Sequence, residues 1–259
     1  MSDLTQQGPA KVLSGMESAP ERKLLAPVWH TAILIVVLFV YSAVSYFSTR
    51  RLAHLGPGVT LTPRQMVPTY VLTFFFEWAM FFYVFWGERK YSQARLRERI
   101  GGRWANAVDV LRDIGIALAL WITLAVIGNI SNFFLKPQGR EVVFKLLPTE
   151  LWQLIPWTLI AVSAGFCEEY AFRGYLMEQF RRLTGAAWLA IVLQGLVFGI
   201  SHGYQGLALM FGIFLLGTGL GIAAYALKTL RVTMITHAWI DTLAGIGGYL
   251  IHHFHVRMP

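Results

Sequence analysis

Seven stretches of about 20 apolar residues follow one another along the chain, at about 29–48, 66–86, 114–135, 151–177, 186–204, 206–227 and 232–251, each near the length an α-helix needs to cross a bilayer. Polar breaks separate them, among them Arg182-Leu183-Thr184-Gly185 and Lys228-Thr229-Leu230-Arg231. The pattern predicts an all-α fold, a polytopic transmembrane helical bundle of about seven helices. Residues 1–28 are mixed polar without apolar periodicity, and a disordered cytoplasmic tail is expected there. The first apolar run is long enough to span, so it is expected to stay as an anchor rather than be cleaved. No internal repeat or linker divides the rest, which leaves 29–259 as a single transmembrane helical domain.

Composition agrees with a membrane protein. The 259 residues are 56% hydrophobic and 14% charged, with mean hydropathy +0.53, outside the range of soluble domains. The net charge of +8 does not point to nucleic acid, because no basic run is interleaved with aromatics in a soluble domain. Topology accounts for it instead. With seven spans, the N-terminus, the 87–113 loop, the end of the fourth span and the 228–231 turn share one side and hold most of the Lys and Arg. The positive-inside rule puts that side in the cytoplasm, so the expected location is the cell (inner) membrane, multi-pass, with a cytoplasmic N-terminus. The densest part, from Glu88-Arg89-Lys90 through Arg95, Arg97, Arg99 and Arg103, is expected to be a surface helix on anionic headgroups.

Against this apolar background a few polar residues need a reason, since each ionised side chain within a span costs roughly 3 kcal/mol or more. The fourth span carries Cys167-Glu168-Glu169-Tyr170-Ala171-Phe172-Arg173-Gly174, the fifth ends on His202, and the seventh carries His237 and Asp241. Glu168 lies 16 residues before Thr184 and His202 lies 18 after it, so a hairpin turning there matches their depths to within roughly 3 Å. His237 and Asp241 share a helical face, and Glu169 can reach Arg173 by the same spacing. That pair neutralises itself and leaves Glu168, rotated by ~100°, as the carboxylate for proton transfer. Straight helices put His237 about 10 Å closer to the cytoplasm than His202, so tilt or a broken helix must close the gap. Gly195, Gly199 and Gly203, then Gly217 and Gly221, recur every fourth residue and predict close packing of the fifth and sixth helices. Cys167, the single cysteine, adjoins a carboxylate and is not set up as a nucleophile.

These residues resemble the CPBP family of intramembrane proteases, which groups CAAX prenyl endopeptidases with Abi-type and bacteriocin-processing proteins. Its EExxxR motif is matched by Glu168, Glu169 and Arg173, its FxxxH motif by Phe198 and His202, and its HxxxN motif by His237 and Asp241, over about residues 150–245. The departure is Asp241, because an ionised carboxylate cannot donate to an oxyanion as Asn can. It is protonated, orients His237, or ligates a metal. The resemblance implies an intramembrane endopeptidase with catalytic Glu168, Glu169, Arg173, His202, His237 and Asp241. Its substrate would be a membrane-associated or exported peptide or protein with a hydrophobic or lipidated segment, met within the lipid bilayer. Two mechanisms stay open: Glu168 activates a water with the histidines assisting, or His202 and His237 hold Zn²⁺ with Glu168 as base. Arg173 would fix Glu169 or bind a substrate carboxylate terminus. A catalytically inactive scaffold of the same fold and a proton-coupled transporter are the alternative classes. Outside the motifs, Glu77 lacks an assignable partner and is taken as structural; His252, His253 and His255 are taken as interfacial, and Asn129 and Asn132 as capping or packing residues.

Overall fold

The computed structural model describes residues 23–53, 61–93, 95–135 and 140–254. Its regular elements are helices: α1 Val28–Ala53, α2 Pro63–Tyr91, α3 Leu96–Ile100, α4 Ala107–Leu135, α5 Arg140–Leu146, α6 Leu154–Glu169, a π-helical segment Tyr170–Leu176, α7 Met177–Thr184, α8 Ala187–Ser201, α9 Leu207–Leu227 and α10 Arg231–His253. No strand occurs among the described residues. The α6, π and α7 segments follow without a break, so each of the seven apolar stretches falls on a long helical run. The expected turns are also present. Gly185, at φ +76°, closes α7 with its N–H on the Arg181 carbonyl at 2.9 Å, a left-handed cap that glycine adopts without strain.

By length and composition, four helices among the described residues can cross a membrane: Val28–Thr49, Arg64–Tyr91, Ala107–Ser131 and Leu209–Leu227. The count of seven crossings is therefore looser than the helix positions. α8 has 15 residues, about 22 Å of helix against a hydrocarbon core of roughly 30 Å, and the fourth and seventh runs carry the charged motif residues. Phe75, Phe133 and Phe134 are 65%, 75% and 76% exposed; apolar surface of this kind is covered by lipid in a spanning bundle.

The π segment lies at the centre. All its residues are buried, and Tyr170, Phe172, Tyr175 and Leu176 form one core with Leu34 and Leu38 of α1, Phe81 and Val84 of α2, and Phe198 of α8. α10 packs along α6, α9 against α8, and α4 against α10 and α9. Glycines set how closely they approach. A Cβ on Gly165 would lie 2.8 Å from backbone atoms of Met234 and Ala238, and one on Gly199 2.8 Å from the Met210 carbonyl. The predicted glycine faces of the fifth and sixth helices do meet, since Gly195 abuts Thr218, Gly217 abuts Phe198 and Gly221 abuts Gln194.

Two expectations are corrected. Residues 1–22 of the expected tail lie outside the described residues, but its end is built into the core: Leu25 and Ala26 are buried, with Gln179 accepting from the Leu25 N–H at 2.9 Å and donating to the Ala26 carbonyl at 2.7 Å. The basic 88–103 stretch is not one surface helix. α2 runs on to Tyr91, α3 has five residues, and Arg99 turns inward to pair with buried Glu88 at 2.8 Å. Burial of one acid thus folds the loop back onto the bundle.

Candidate active site

Glu169 is the last residue of α6 and Arg173 lies one turn on, inside the π segment. A π turn widens the helix locally and is a frequent feature of functional sites. Arg173 Nη1 donates to Glu169 Oε1 at 2.7 Å, the i,i+4 pair expected from sequence, with both side chains fully buried. Arg173 Nη2 also donates to the Gly217 carbonyl at 3.2 Å, and the guanidinium stacks 4.3 Å from the Phe198 ring centre. The arginine is enclosed by protein on α8 and α9.

The same Glu169 oxygen meets His237 Nδ1 at 2.8 Å. Close packing of α10 on α6, permitted by Gly165, brings them together. The other ring nitrogen faces two further acids, with Glu168 Oε2 at 3.8 Å and Asp241 Oδ2 at 3.5 Å from Nε2. Adjacent carboxylates are thus treated differently. Glu169 is bound through Oε1 by Arg173 and His237, whereas Oε2 of both Glu168 and Glu169 is buried without a hydrogen bond among the described residues.

His202 stands at the end of α8. Its Nδ1 donates to the Phe198 carbonyl at 2.8 Å, which leaves Nε2 as its free nitrogen. The Phe198 ring lies 4.8 Å from the His202 ring and 5.9 Å from the His237 ring. α8 ends at Ser201 with His202 as its cap, and the Phe198 ring contacts both imidazoles. The FxxxH phenylalanine is 1% exposed and packs against both histidines and Arg173.

Of the predicted site residues, the structure brings together Glu168, Glu169, Arg173, His237 and Asp241, with His202 joined through Phe198. Three neighbours were not foreseen. Gly217 supplies the carbonyl that takes Arg173 and also Gln194 Nε2, at 2.9 Å; the small-residue pattern marked its face but not its carbonyl. Trp157 Nε1 donates to the Asp241 carbonyl at 2.7 Å. Glu77 of α2, only 3% exposed, lies beside Ser163 within electrostatic reach of Glu168, Asp241 and His237; its position in the second span could have prompted this, but nothing in the sequence gave its rotation. Cys167 is buried, 3.9 Å from Ser163 Oγ. His252 stacks on Phe144 and His253 on Tyr249, while His255 lies outside the described residues. Asn129 donates to its own helix at Ala125.

A zinc site needs at least three donors converging on one point. The Nδ1 bonds of His202 and His237 leave Nε2 of each as the nitrogen a metal would take, but among the described residues no three His, Cys, Asp or Glu side chains are grouped to hold an ion. No step below passes through a metal.

Carboxylates and imidazoles gather, buried, where apolar helices meet in a membrane-spanning bundle. Residues 150–243 match the family model described as type II CAAX prenyl endopeptidase Rce1-like. Over nearly the residues in which the three motifs are read, the chain is therefore similar to this domain of the CPBP family. No curated protein and no solved structure matches the chain.

Proposed function

We propose that the protein is an intramembrane endopeptidase that hydrolyses a peptide bond of a membrane-associated or exported substrate with a hydrophobic or lipidated segment. The observation that carries this reading is the contrast between Glu169, hydrogen-bonded by Arg173 and His237, and Glu168, whose buried Oε2 lies 3.8 Å from His237 Nε2 and makes no hydrogen bond among the described residues. Glu168 takes a proton from water, and the hydroxide adds to the scissile carbonyl carbon. As the tetrahedral intermediate collapses, the C–N bond breaks and Glu168 returns the proton to the leaving amine. Nε2 of His202 helps hold the water. Asp241, 3.5 Å from His237 Nε2, orients that ring together with Glu169. Arg173 fixes Glu169; at 2% exposure it is closed off from a substrate carboxylate.

The basic side of the bundle supports a cytoplasmic N-terminus in the cell membrane. Arg182 donates to the Lys23 carbonyl, Arg99 pairs with Glu88 at the end of α2, and Ile100 accepts from the Leu230 N–H before α10. These groups therefore gather at one end of the bundle, as the positive-inside rule requires of cytoplasmic segments.

The test is cleavage of quenched hydrophobic and lipidated peptides by detergent-purified protein, wild type beside Glu168→Gln, with metal content measured by elemental mass spectrometry on the same samples. Cleavage lost in a folded Glu168→Gln supports the glutamate base. Retained cleavage sinks it. Stoichiometric zinc lost with His202→Ala would replace the metal-free form by the metal-dependent one.

A further inference from the structure

Resting on the protease reading, the inference concerns the charge that develops on the substrate carbonyl. Hydrolysis builds an oxyanion, and preorganised donors aimed at it are commonly the largest contribution to catalysis. The residue matching the family's Asn position is Asp241, which when ionised has no proton to donate and is turned toward His237 Nε2 at 3.5 Å. Another donor is required.

The segment between α8 and α9 presents one. Its geometry is fixed from several directions. Ser42 Oγ of α1 donates to the Ile200 carbonyl at 2.8 Å and accepts from the Gly203 N–H at 2.9 Å. A Cβ on Gly203 would lie 2.7 Å from that hydroxyl, and Gly206, at φ +89°, turns the chain into α9. This braced turn carries Tyr204, whose ring centre lies 6.2 Å from that of His202 and whose hydroxyl is within electrostatic reach of Glu168 and Asp241. Gln205 Nε2 donates to the Tyr204 oxygen at 2.9 Å. That bond occupies a lone pair and leaves the phenolic proton free to be given to another acceptor.

We propose that Tyr204 is a catalytic residue that donates its phenolic hydrogen bond to the oxyanion formed at this site. When hydroxide adds to the carbonyl carbon, the C=O π pair moves onto oxygen, and the Tyr204 O–H stabilises that charge without transferring its proton. The pair returns when the C–N bond breaks, and the leaving amine takes its proton from Glu168. Tyr204 thus does the work that Asp241 cannot.

The experiment is steady-state cleavage of a quenched peptide by the full detergent-purified chain as wild type, Tyr204→Phe, Asp241→Asn and the double variant, with thermal unfolding of each. Tyr204→Phe is expected to lower kcat by about 10²–10³-fold with KM nearly unchanged. Asp241→Asn, which restores an amide donor, is expected to recover at least about tenfold of that loss in the double variant. Wild-type kcat in Tyr204→Phe, or a loss that Asp241→Asn does not relieve, would overturn the proposal. If Tyr204→Phe does not fold, 3-fluorotyrosine at position 204 replaces it. The more acidic phenol should move the alkaline limb of the kcat profile to lower pH, and an unmoved limb counts against the proposal. An inactive wild type, or an active Glu168→Gln, would instead refute the protease reading itself.

Discussion

The basic end of the bundle and the layer around His237 handle acids in opposite ways. At the basic end each buried or half-buried acid has its own cation: Glu88 pairs with Arg99, Asp113 with Arg231 at 2.9 Å, and Glu178 with Arg181 and Arg182 at 2.7 Å. Around His237, Glu77, Glu168, Glu169 and Asp241 share Arg173 and the imidazoles of His237 and His202. Matched pairs hold elements in place. Tyr170 and Arg99 meet on Glu88 and tie α3 to the π segment, while Arg231 anchors the start of α10 to α4. An excess of acid has no such value for stability, because each uncompensated carboxylate must be accommodated in a medium that disfavours it. In the proposed mechanism this is the layer where protons move.

The comparison can be broken at several points. Arg173→Ala removes the one guanidinium of the acid-rich layer and strands buried Glu169, so a loss of about 3–5 kcal/mol is expected, seen as lower folded yield and earlier thermal unfolding. The pair Glu169→Leu with Arg173→Met should regain folding but not cleavage, because His237 Nδ1 loses its acceptor. Recovery of both would mean that Glu169 only balances charge. At the opposite end, Arg99→Ala leaves Glu88 with Tyr170 alone and should cost up to about 3 kcal/mol, while cleavage per folded molecule stays close to wild type.

Gly165→Ala sharpens the comparison without touching a charge. Its methyl would lie 2.8 Å from the Met234 carbonyl, which forces α6 and α10 apart, and about 1–3 kcal/mol of destabilisation is expected together with reduced cleavage. Unchanged activity would show that the Glu169–His237 contact tolerates a wider helix spacing. The smallest effect is at Glu178, beyond the fourth apolar stretch. Burial alone would raise its carboxyl, but hydrogen bonds from Arg181 and Arg182 and their charges outweigh burial and hold it below the usual carboxylate range. A depressed acid adds stability above its unfolded pKa and loses it as pH falls through the folded value. Glu178→Gln should therefore cost no more than about 1 kcal/mol at neutral pH, and the difference from wild type should vanish in acid, which unfolding measured across pH will show.

Much of this arrangement is legible in the residues themselves. Apolar length placed the long helical runs, Gly185 and the basic 228–231 stretch placed two turns, and i,i+4 spacing paired Glu169 with Arg173 and His237 with Asp241. The small-residue repeats located the α8–α9 contact. What stayed hidden depends on rotation and register between helices. Nothing in the residues Tyr170–Leu176 distinguishes a π turn from an α turn, and the Glu169–His237 bond needs two helix rotations at once. Glu88 sits among exposed basic residues in the sequence, so its burial required knowing that Arg99 and Tyr170 converge on it. Glu77 was taken as structural for the same reason: its partners lie on other helices.

The central claim is that Glu168 activates a water which cleaves a peptide bond. Its most direct measurement is mass spectrometry of the products formed in oxygen-18-labelled water, with wild type and folded Glu168→Gln compared on the same hydrophobic peptide. The account predicts a new carboxyl terminus carrying one labelled oxygen from the wild type and no product from the variant. Labelled product formed by Glu168→Gln at the wild-type rate would contradict it.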